Sequence, residues 1–115
     1  RRQRQMCIRD SNPDYVSEIL RCEYNEGYNF GTFRIAIERF ALEIKSLNIS
    51  YEALYLHKKD NPNSFIWINN IYKENFYSEI SSKWLKNPIA ENIKKEFIEN
   101  AKCIDARAYD AFLIT

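Results

Sequence analysis

Residues 50–69 have the sequence SYEALYLHKKDNPNSFIWIN, which is compatible with two secondary structures. In the first, residues 53–58 and 65–69 are the strands of a β-hairpin, joined by the turn-forming residues 60–64. In the second, Ser50 caps a short helix and a longer helix begins after the turn. The first alternative predicts an α+β fold, and the second predicts a mainly helical one.

The spacing of the apolar residues that follow favours the helix. They recur at steps of three or four residues, a period that suits a helix capped by Asn63 or Ser64. We therefore predict a mainly α fold, a bundle of about four to five helices. An α+β fold with a β-hairpin at 53–69 stays open as the alternative. The members of this apolar stripe are Phe65, Ile68, Tyr72, Phe76, Ile80 and Trp84.

Other stretches carry similar helical signals. Asn12 and Asn87 each precede a proline, an order typical of a capping residue followed by the first residue of a helix. Thr32 is placed to cap a further helix, because apolar residues recur at helical spacing over residues 33–47. Residues 104–115 are expected to continue the last helix or to form a new apolar one.

Residues 1–11 differ in composition from the rest of the chain. They contain four of its eight arginines, and their sequence, RRQRQMCIRDS, resembles the in-frame translation of a transposase adapter used for sequencing libraries. We therefore expect a non-native tail at 1–11 and a single helical domain at 12–115, a fragment of a longer protein. Without the tail, 13 of the 17 basic and 15 of the 16 acidic residues remain, a net charge of −2. This charge gives no electrostatic reason to expect a nucleic-acid or membrane partner.

The sequence shows no pattern typical of a metal site or of catalysis. His57 is its one histidine, and Cys22 and Cys103 are the two cysteines outside the tail. We predict no metal, no cofactor and no catalytic residue in this segment. The cysteine count allows one disulfide, but two buried thiols in a reducing cytoplasm are the simpler interpretation. No apolar run approaches the roughly 18–20 residues of a membrane span, so we expect a cytoplasmic protein.

Two features are candidates for a functional site. Asp105, Arg107, Tyr109 and Asp110 form a charged cluster embedded among small and apolar residues. On a helix they would make two polar pairs, and an intrahelical salt bridge explains them more simply than a functional polar site. Trp67 falls off the apolar stripe, so it is a candidate for a partner surface.

The functional interpretation rests on exclusion. Because no catalytic motif is recognisable, we interpret the chain as a helical interaction or regulatory segment of a larger bacterial protein, without catalytic activity of its own. Its partner would be another protein or the remainder of its own chain. An enzyme whose catalytic residues lie outside this segment is a further alternative.

Residues 43–58 support a different function. Their sequence, EIKSLNISYEALYLHK, resembles the turn and recognition helix of bacterial helix-turn-helix regulators, and its end is similar to regulators of the tetracycline-repressor type. In that resemblance Asn48 takes the turn position, although Ile44 stands where a small residue is usual. The resemblance implies a nucleic-acid partner, and the residues that would face DNA are Ser50, Tyr51, Glu52, Tyr55 and Lys58.

Overall fold

The structure, a computed structural model, describes residues 12–72 and 76–115. This part of the chain contains four strands and three helices: β1 Tyr15–Tyr24, α1 Phe30–Ser46, β2 Tyr51–Lys58, β3 Asn61–Ile71, α2 Phe76–Lys83, α3 Pro88–Asn100 and β4 Ala101–Ala111. All neighbouring strands are antiparallel, in the spatial order β2-β3-β1-β4. This arrangement is ferredoxin-like. The tail predicted at residues 1–11 lies outside the described residues.

The fold is therefore α+β, and the predicted bundle of four to five helices is wrong. Residues 50–69 contain most of a β-hairpin, in which Lys58 pairs with Asn61 across a tight turn. The spacing of three or four residues between apolar side chains led to the wrong prediction of a helix, because strand β3 is apolar on both faces. Phe65 packs under the helices, whereas Ile68 is an odd number of residues away and faces the opposite side.

Strand pairing also replaces helix at both ends of the described chain. The helix predicted after Asn12 is strand β1, and most of residues 104–115 belong to strand β4. The two strands pair from Tyr15 with Ala111 to Tyr24 with Ala101. This long ladder satisfies the backbone of both segments, so tertiary pairing overrides the local helical signals.

The caps of two helices are well defined. Asn87 caps α3 as predicted, because its side-chain oxygen accepts a 2.9 Å hydrogen bond from the amide of Ile89. Helix α1 begins one turn earlier than predicted, at the N-cap Asn29. Asn29 Oδ1 accepts from the Thr32 amide at 3.1 Å, and Thr32 Oγ1 accepts from the Asn29 amide at 3.0 Å. This reciprocal capping box fixes where α1 starts on the sheet.

One face of the sheet is covered by the helices. Phe33 and Ala36 of α1, which are 3% and 2% exposed, pack with Cys22 of β1 and Phe65 of β3. The Phe33 ring centroid lies 5.2 Å from that of Phe65 and 5.1 Å from that of Phe97 on α3. Each buried phenylalanine contributes roughly 1.5–3 kcal/mol, so this cluster anchors both long helices to the central strands.

The other face of the sheet has no helix on it in the described part of the chain. Leu54, Leu56 and Tyr109 lie there, and they are 40%, 46% and 50% exposed. Their side chains alternate along the strands with those that face the helices. We call this surface the open face, and its members are Ile19, Arg21, Glu52, Leu54, Leu56, Ile66, Ile68, Asn70, Asp105, Arg107 and Tyr109.

Cys22 and Cys103 form a disulfide with an S–S distance of 2.00 Å, rather than the two thiols expected from the sequence. The two residues are direct cross-strand partners on β1 and β4. Cys22 is 2% exposed and belongs to the apolar cluster under α1, whereas Cys103 is exposed. The disulfide therefore links the edge strand β4 to the core.

Candidate functional site

A cavity of about 330 Å³ lies between the sheet and the helices, and we call it the central cavity. The helix-facing sides of β1, β2 and β3 form its floor, and all three helices contribute to its walls. Most of its lining is apolar. The lining residues are Glu18, Leu20, Tyr51, Trp67, Asn69 and Ile71 from the sheet, and Phe40, Ile44, Tyr77, Ile80, Trp84 and Phe97 from the helices.

Asn69 organises the polar part of the floor. Its side-chain oxygen accepts hydrogen bonds from Trp67 Nε1 at 2.7 Å and from the Tyr51 hydroxyl. Its Nδ2 donates to Glu18 Oε1 at 2.9 Å. Because indole N–H groups only donate and carboxylates only accept, these partners define the orientation of the amide. The Glu18 carboxylate is therefore held by an amide that is itself held in place.

Strand geometry explains why these four residues meet. Trp67 and Asn69 are two residues apart on β3, so both side chains face the helices. Glu18 is the direct partner of Asn69 on β1. Tyr51 pairs with Ile71 on the other side, which places it diagonally from Asn69. Polar groups under helices are costly unless they are paired, and this network supplies the partners.

The Tyr51 hydroxyl is a donor in this network. Burial raises its pKa well above the ordinary value for tyrosine; the hydrogen bond with Trp67 opposes that shift, and the charge of Glu18 adds to it. A phenol with a raised pKa stays neutral over the physiological range. Tyr51 therefore acts as a fixed hydrogen-bond donor to Asn69 rather than as a base.

Aromatic rings form the walls of the central cavity. The centroid of the Phe40 ring lies 5.8 Å from Trp67, 5.7 Å from Trp84 and 5.5 Å from Phe97. The ring planes cross at 65° and 83° in the two tryptophan pairs, which are edge-to-face, and at 54° in the tilted pair with Phe97. Such walls favour an apolar, planar ligand, because stacking adds to the gain from apolar burial.

Glu18 is the one carboxyl group among the residues that line this cavity. An ionised carboxylate accepts hydrogen bonds and protons and donates none. Placed below apolar walls, it can take a proton from an acidic C–H or O–H group of a bound ring. The site thus combines a carboxylate, an amide that orients it, and walls of aromatic rings.

The charged cluster predicted as a polar site lies on β4 and does not line the central cavity. Asp105 Oδ2 pairs with Arg107 Nε at 3.2 Å and with Arg21 Nε at 3.4 Å. Tyr109 and Asp110 are exposed, and among the described residues neither forms an ion pair with this group. Exposed pairs of this kind stabilise a fold by about 0–1 kcal/mol. The structure brings Asp105 and Arg107 together and leaves the other two apart.

The helix-turn-helix interpretation of residues 43–58 is wrong, because Tyr51–Lys58 is strand β2. The side chains of a strand alternate between two faces, so the residues expected to face DNA do not share a surface. Tyr51 and Tyr55 face the helices, whereas Glu52 lies on the open face. No recognition helix exists at this position.

The remaining residues of that interpretation have separate surroundings. The Tyr55 hydroxyl lies 2.6 Å from the Tyr24 hydroxyl and 3.1 Å from His57 Nδ1, and burial raises the pKa of both tyrosines. Ser50 precedes β2, and Lys58 ends it at the hairpin turn. Neither Ser50 nor Lys58 lines the central cavity.

Glu52 has partners of its own on the open face. It accepts hydrogen bonds from Asn70 Nδ2 and from the Tyr72 hydroxyl, both at 3.0 Å. The bond from Asn70, followed by that from Tyr72, lowers the pKa of the Glu52 carboxyl. Ser17 Oγ donates to Asn70 Oδ1 at 2.6 Å, so Asn70 is fixed in the same way as Asn69.

Trp67, expected on a partner surface, lines the central cavity instead of standing free on the outside. Glu18 and Asn69 were missed by the sequence reasoning altogether. The sequence does contain a signal for both residues if the segments of β1 and β3 are treated as strands. Both then fall on the side that Leu20 and Trp67 share, and a polar residue at a core position of a strand marks a paired network or a site.

Residues 12–72 and 76–115 offer neither a metal-binding cluster nor a membrane-spanning helix. In this part of the chain, no cluster of three or more His, Cys, Asp or Glu residues could hold a metal ion. None of its helices has the length and apolarity to cross a membrane.

No protein-family model and no curated protein matches the chain, whereas several solved structures are similar to it in fold. SnoaB, a cofactor-independent oxygenase from Streptomyces nogalater, superposes with a TM-score of 0.67 and 14% identity, over 87% of this chain and 95% of that one. A SnoaB variant in which one asparagine is replaced by alanine gives a TM-score of 0.61, also at 14% identity, over 85% and 93%.

Two other structures share the fold. A protein assigned as an antibiotic biosynthesis monooxygenase from Chloroflexus aurantiacus superposes with a TM-score of 0.57 and 9% identity, over 84% of this chain and 91% of that one. A dimeric protein of unknown function and ferredoxin-like fold from Bacteroides fragilis gives 0.52 and 11%, over 87% and 99%. At such identities these similarities establish the fold alone. They also show that the predicted helical regulatory segment is wrong, since the chain is a small α+β domain like these.

Proposed function

We propose that this protein is a cofactor-independent oxygenase for a planar aromatic substrate that carries an acidic ring C–H group. The observation that carries the proposal is the Glu18 carboxylate, held by Asn69 on the floor of an aromatic-walled cavity. The structural similarity to SnoaB, a cofactor-independent oxygenase, supports it as a precedent for such chemistry on this fold.

The reaction begins with proton transfer. Glu18 removes a proton from a ring CH₂ group that an adjacent carbonyl or phenol has made acidic. The resulting carbanion is electron-rich and reduces O₂ directly. The CH₂ group loses four electrons and becomes a carbonyl, and O₂ accepts those four electrons. One oxygen atom ends in the new carbonyl and the other leaves as water.

The surrounding residues support this step in two ways. Asn69 keeps the carboxylate oriented, and Trp67 and Tyr51 keep Asn69 oriented. A positioned base needs such support, because small displacements of a reacting group reduce the rate strongly. The rings of Phe40 and Trp84 exclude water, so the carbanion reacts with O₂ before solvent can return a proton to it.

Oxygen consumption with anthrone tests the proposal, because the central CH₂ of anthrone lies between two aromatic rings and opposite a carbonyl. We expect one O₂ to be consumed for each anthraquinone formed, at a rate higher than that in buffer alone. The Asn69→Ala variant should lose most of this rate of oxygen consumption. Asn70→Ala is the matched control, since Asn70 holds a carboxylate on the open face instead. An anthrone oxidation rate equal to that in buffer would remove the proposal.

For the partner, we propose a second copy of this chain, packed on the open face. Leu54, Leu56 and Tyr109 are 40–50% exposed there, and the Bacteroides fragilis protein with this fold is dimeric. A twofold axis parallel to the strands places β2 of one protomer over β4 of its partner. This brings the edge that carries Glu52 toward the edge that carries Arg107, so opposite charges meet.

The cytoplasmic location expected from the sequence remains a proposal. The disulfide between Cys22 and Cys103 counts against it, because disulfides are rare in a reducing cytoplasm, so this location requires the pair to be reduced in the cell. Rapid acid quenching of cells, followed by alkylation with a maleimide, reports the state of the pair. Two alkylated cysteines support the cytoplasmic location, and none would contradict it.

A further inference from the structure

A second cavity, of about 500 Å³, lies between α1 and the edge strand β2, and we call it the edge cleft. Four residues line both this cleft and the central cavity, so the two spaces adjoin along them: the apolar Phe40 and Ile44, and the polar-tipped Tyr51 and Trp67. The polar atoms of Tyr51 and Trp67 are bonded to Asn69 in the central cavity. What these two contribute to the edge cleft is therefore ring surface rather than hydrogen-bonding groups.

The rest of the edge cleft is apolar apart from its outer end. Ile37, Ala41, Ile44 and Ala53 are among its lining residues. Apolar side chains on a helix and on an edge strand, facing each other across open space, leave surface that a ligand can bury. The size of the cleft is within the range of pockets that bind small molecules.

Lys45 is the one charged residue that lines the edge cleft. It stands in the last turn of α1 and is exposed. Within the part of the chain that the structure describes, no carboxylate lies within 4.0 Å of its ammonium group. By contrast, Lys83 on α2 and Arg39 on α1 are both ion-paired. The cleft thus combines an apolar body with one positive charge at its end.

We propose that the edge cleft binds an amphipathic carboxylate, a compound with an apolar body and a single acid group. The apolar body lies against Ile44 and the rings of Tyr51 and Trp67, and the carboxylate pairs with the Lys45 ammonium. A charge-assisted hydrogen bond of this kind selects an anionic head group over a neutral one of the same length. The proposal concerns a site other than the central cavity and does not depend on the oxygenase activity.

Fluorescence of Trp67 tests the proposal, with decanoate as the probe. The Trp84→Phe variant leaves Trp67 as the one tryptophan, and Trp84 does not line the edge cleft. We expect a saturable change in fluorescence with decanoate at concentrations below its micelle formation. Adding Lys45→Met should weaken decanoate binding roughly two- to fivefold, as expected for loss of one exposed ion pair. Decanol, the uncharged control, should bind equally to both forms.

Two further variants complete the experiment. Lys86→Met removes an exposed lysine that does not line the cleft and should leave decanoate affinity unchanged. Glu18→Gln, which removes the proposed catalytic base and does not line the cleft, should still bind decanoate in a Lys45-dependent way. The proposal is overturned if no saturable change occurs, or if Lys45→Met binds decanoate as tightly as its parent does.

Discussion

Asn69 donates a 2.9 Å hydrogen bond from Nδ2 to Glu18 Oε1, and the two residues are direct partners on the two central strands. The next residue, Asn70, donates at 3.0 Å to Glu52 on the opposite side of the sheet. Two adjacent asparagines therefore hold two carboxylates on the two faces. Glu18 lies below the aromatic walls of the central cavity, and the proposed chemistry is assigned to it for that reason.

Replacement of Asn69 by alanine should reduce both stability and activity. Trp67 Nε1 and the Tyr51 hydroxyl lose their shared acceptor, and each buried donor left unpaired costs about 1–3 kcal/mol. We expect a free energy of unfolding lower by about 2–4 kcal/mol in urea denaturation. Anthrone oxidation should fall by at least about tenfold at a temperature where the variant is folded. An unchanged oxidation rate would show that Asn69 does not support the reaction.

Titration with alkali should show late-ionising tyrosines. Burial raises the pKa of Tyr24, Tyr51 and Tyr55 above the ordinary value of about 10. Because their pKa is higher in the folded than in the unfolded chain, their contribution to stability is complete below about pH 10 and is lost as the pH rises further. Phenolate absorbance should therefore rise in step with unfolding. If all eight tyrosines of the chain ionise together near pH 10 with the fold intact, this account of the core is wrong.

The contribution to stability of the hydrogen bond between Tyr24 and Tyr55 can be measured separately from that of the burial of their rings. In Tyr55→Phe the Tyr24 hydroxyl loses its 2.6 Å partner while the ring that packs on Phe65 is retained. We expect a loss of roughly 1 kcal/mol in the free energy of unfolding at neutral pH. Tyr109→Phe is the matched control, because Tyr109 is half exposed on β4, and its stability should not change.

The helices α1 and α3 could largely be predicted from the sequence, and the sheet could not. The Asn87 cap is a local signal, because it depends on a side chain and a backbone amide only two residues apart. Strand β1, in contrast, exists because β3 and β4 pair with it on both sides. Such pairing joins residues from 41 positions apart, Glu23 with Ser64, to 96 positions apart, Tyr15 with Ala111, and no local period reveals it.

The candidate site shows the same limit. Glu18 and Asn69 are 51 residues apart and meet only when β1 and β3 are in register. Trp67 stood out in the sequence because it does not belong to the predicted helical stripe. Its position in the central cavity follows only from its place on strand β3, where its side chain faces the helices. Helical spacing paired Arg107 with Asp110 and Asp105 with Tyr109, whereas on strand β4 Asp105 pairs with Arg107, two residues away on the same face.

Reduction of the disulfide between Cys22 and Cys103 should lower stability. The bond closes a loop of 81 residues, and cross-links of this kind stabilise proteins by about 2–4 kcal/mol. We expect the urea midpoint to fall on addition of dithiothreitol, and the Cys22→Ala/Cys103→Ala variant to show the low midpoint without reductant. An unaffected midpoint in dithiothreitol, with both thiols shown to be free, would contradict this expectation.

Disruption of the open face should change the oligomeric state. Leu54→Lys places a charge in the middle of the proposed interface between two copies, where a buried unpaired charge is strongly unfavourable. Light scattering should give the mass of a dimer for the parent chain and that of a monomer for the variant. Ile98→Lys, at a residue 63% exposed on α3, is the control and should stay dimeric. A monomeric parent chain at micromolar concentration would remove the proposed interface.

Glu18→Gln tests the central claim most directly, because glutamine retains the shape of the side chain and can still accept the hydrogen bond from Asn69 but is not a base. The measurement is the steady-state rate of anthrone oxidation, followed by oxygen uptake, alongside urea denaturation. The account predicts a kcat lower by roughly 100- to 10,000-fold, with little change in KM or in the urea midpoint. A Glu18→Gln protein that oxidises anthrone as fast as the parent chain would contradict it.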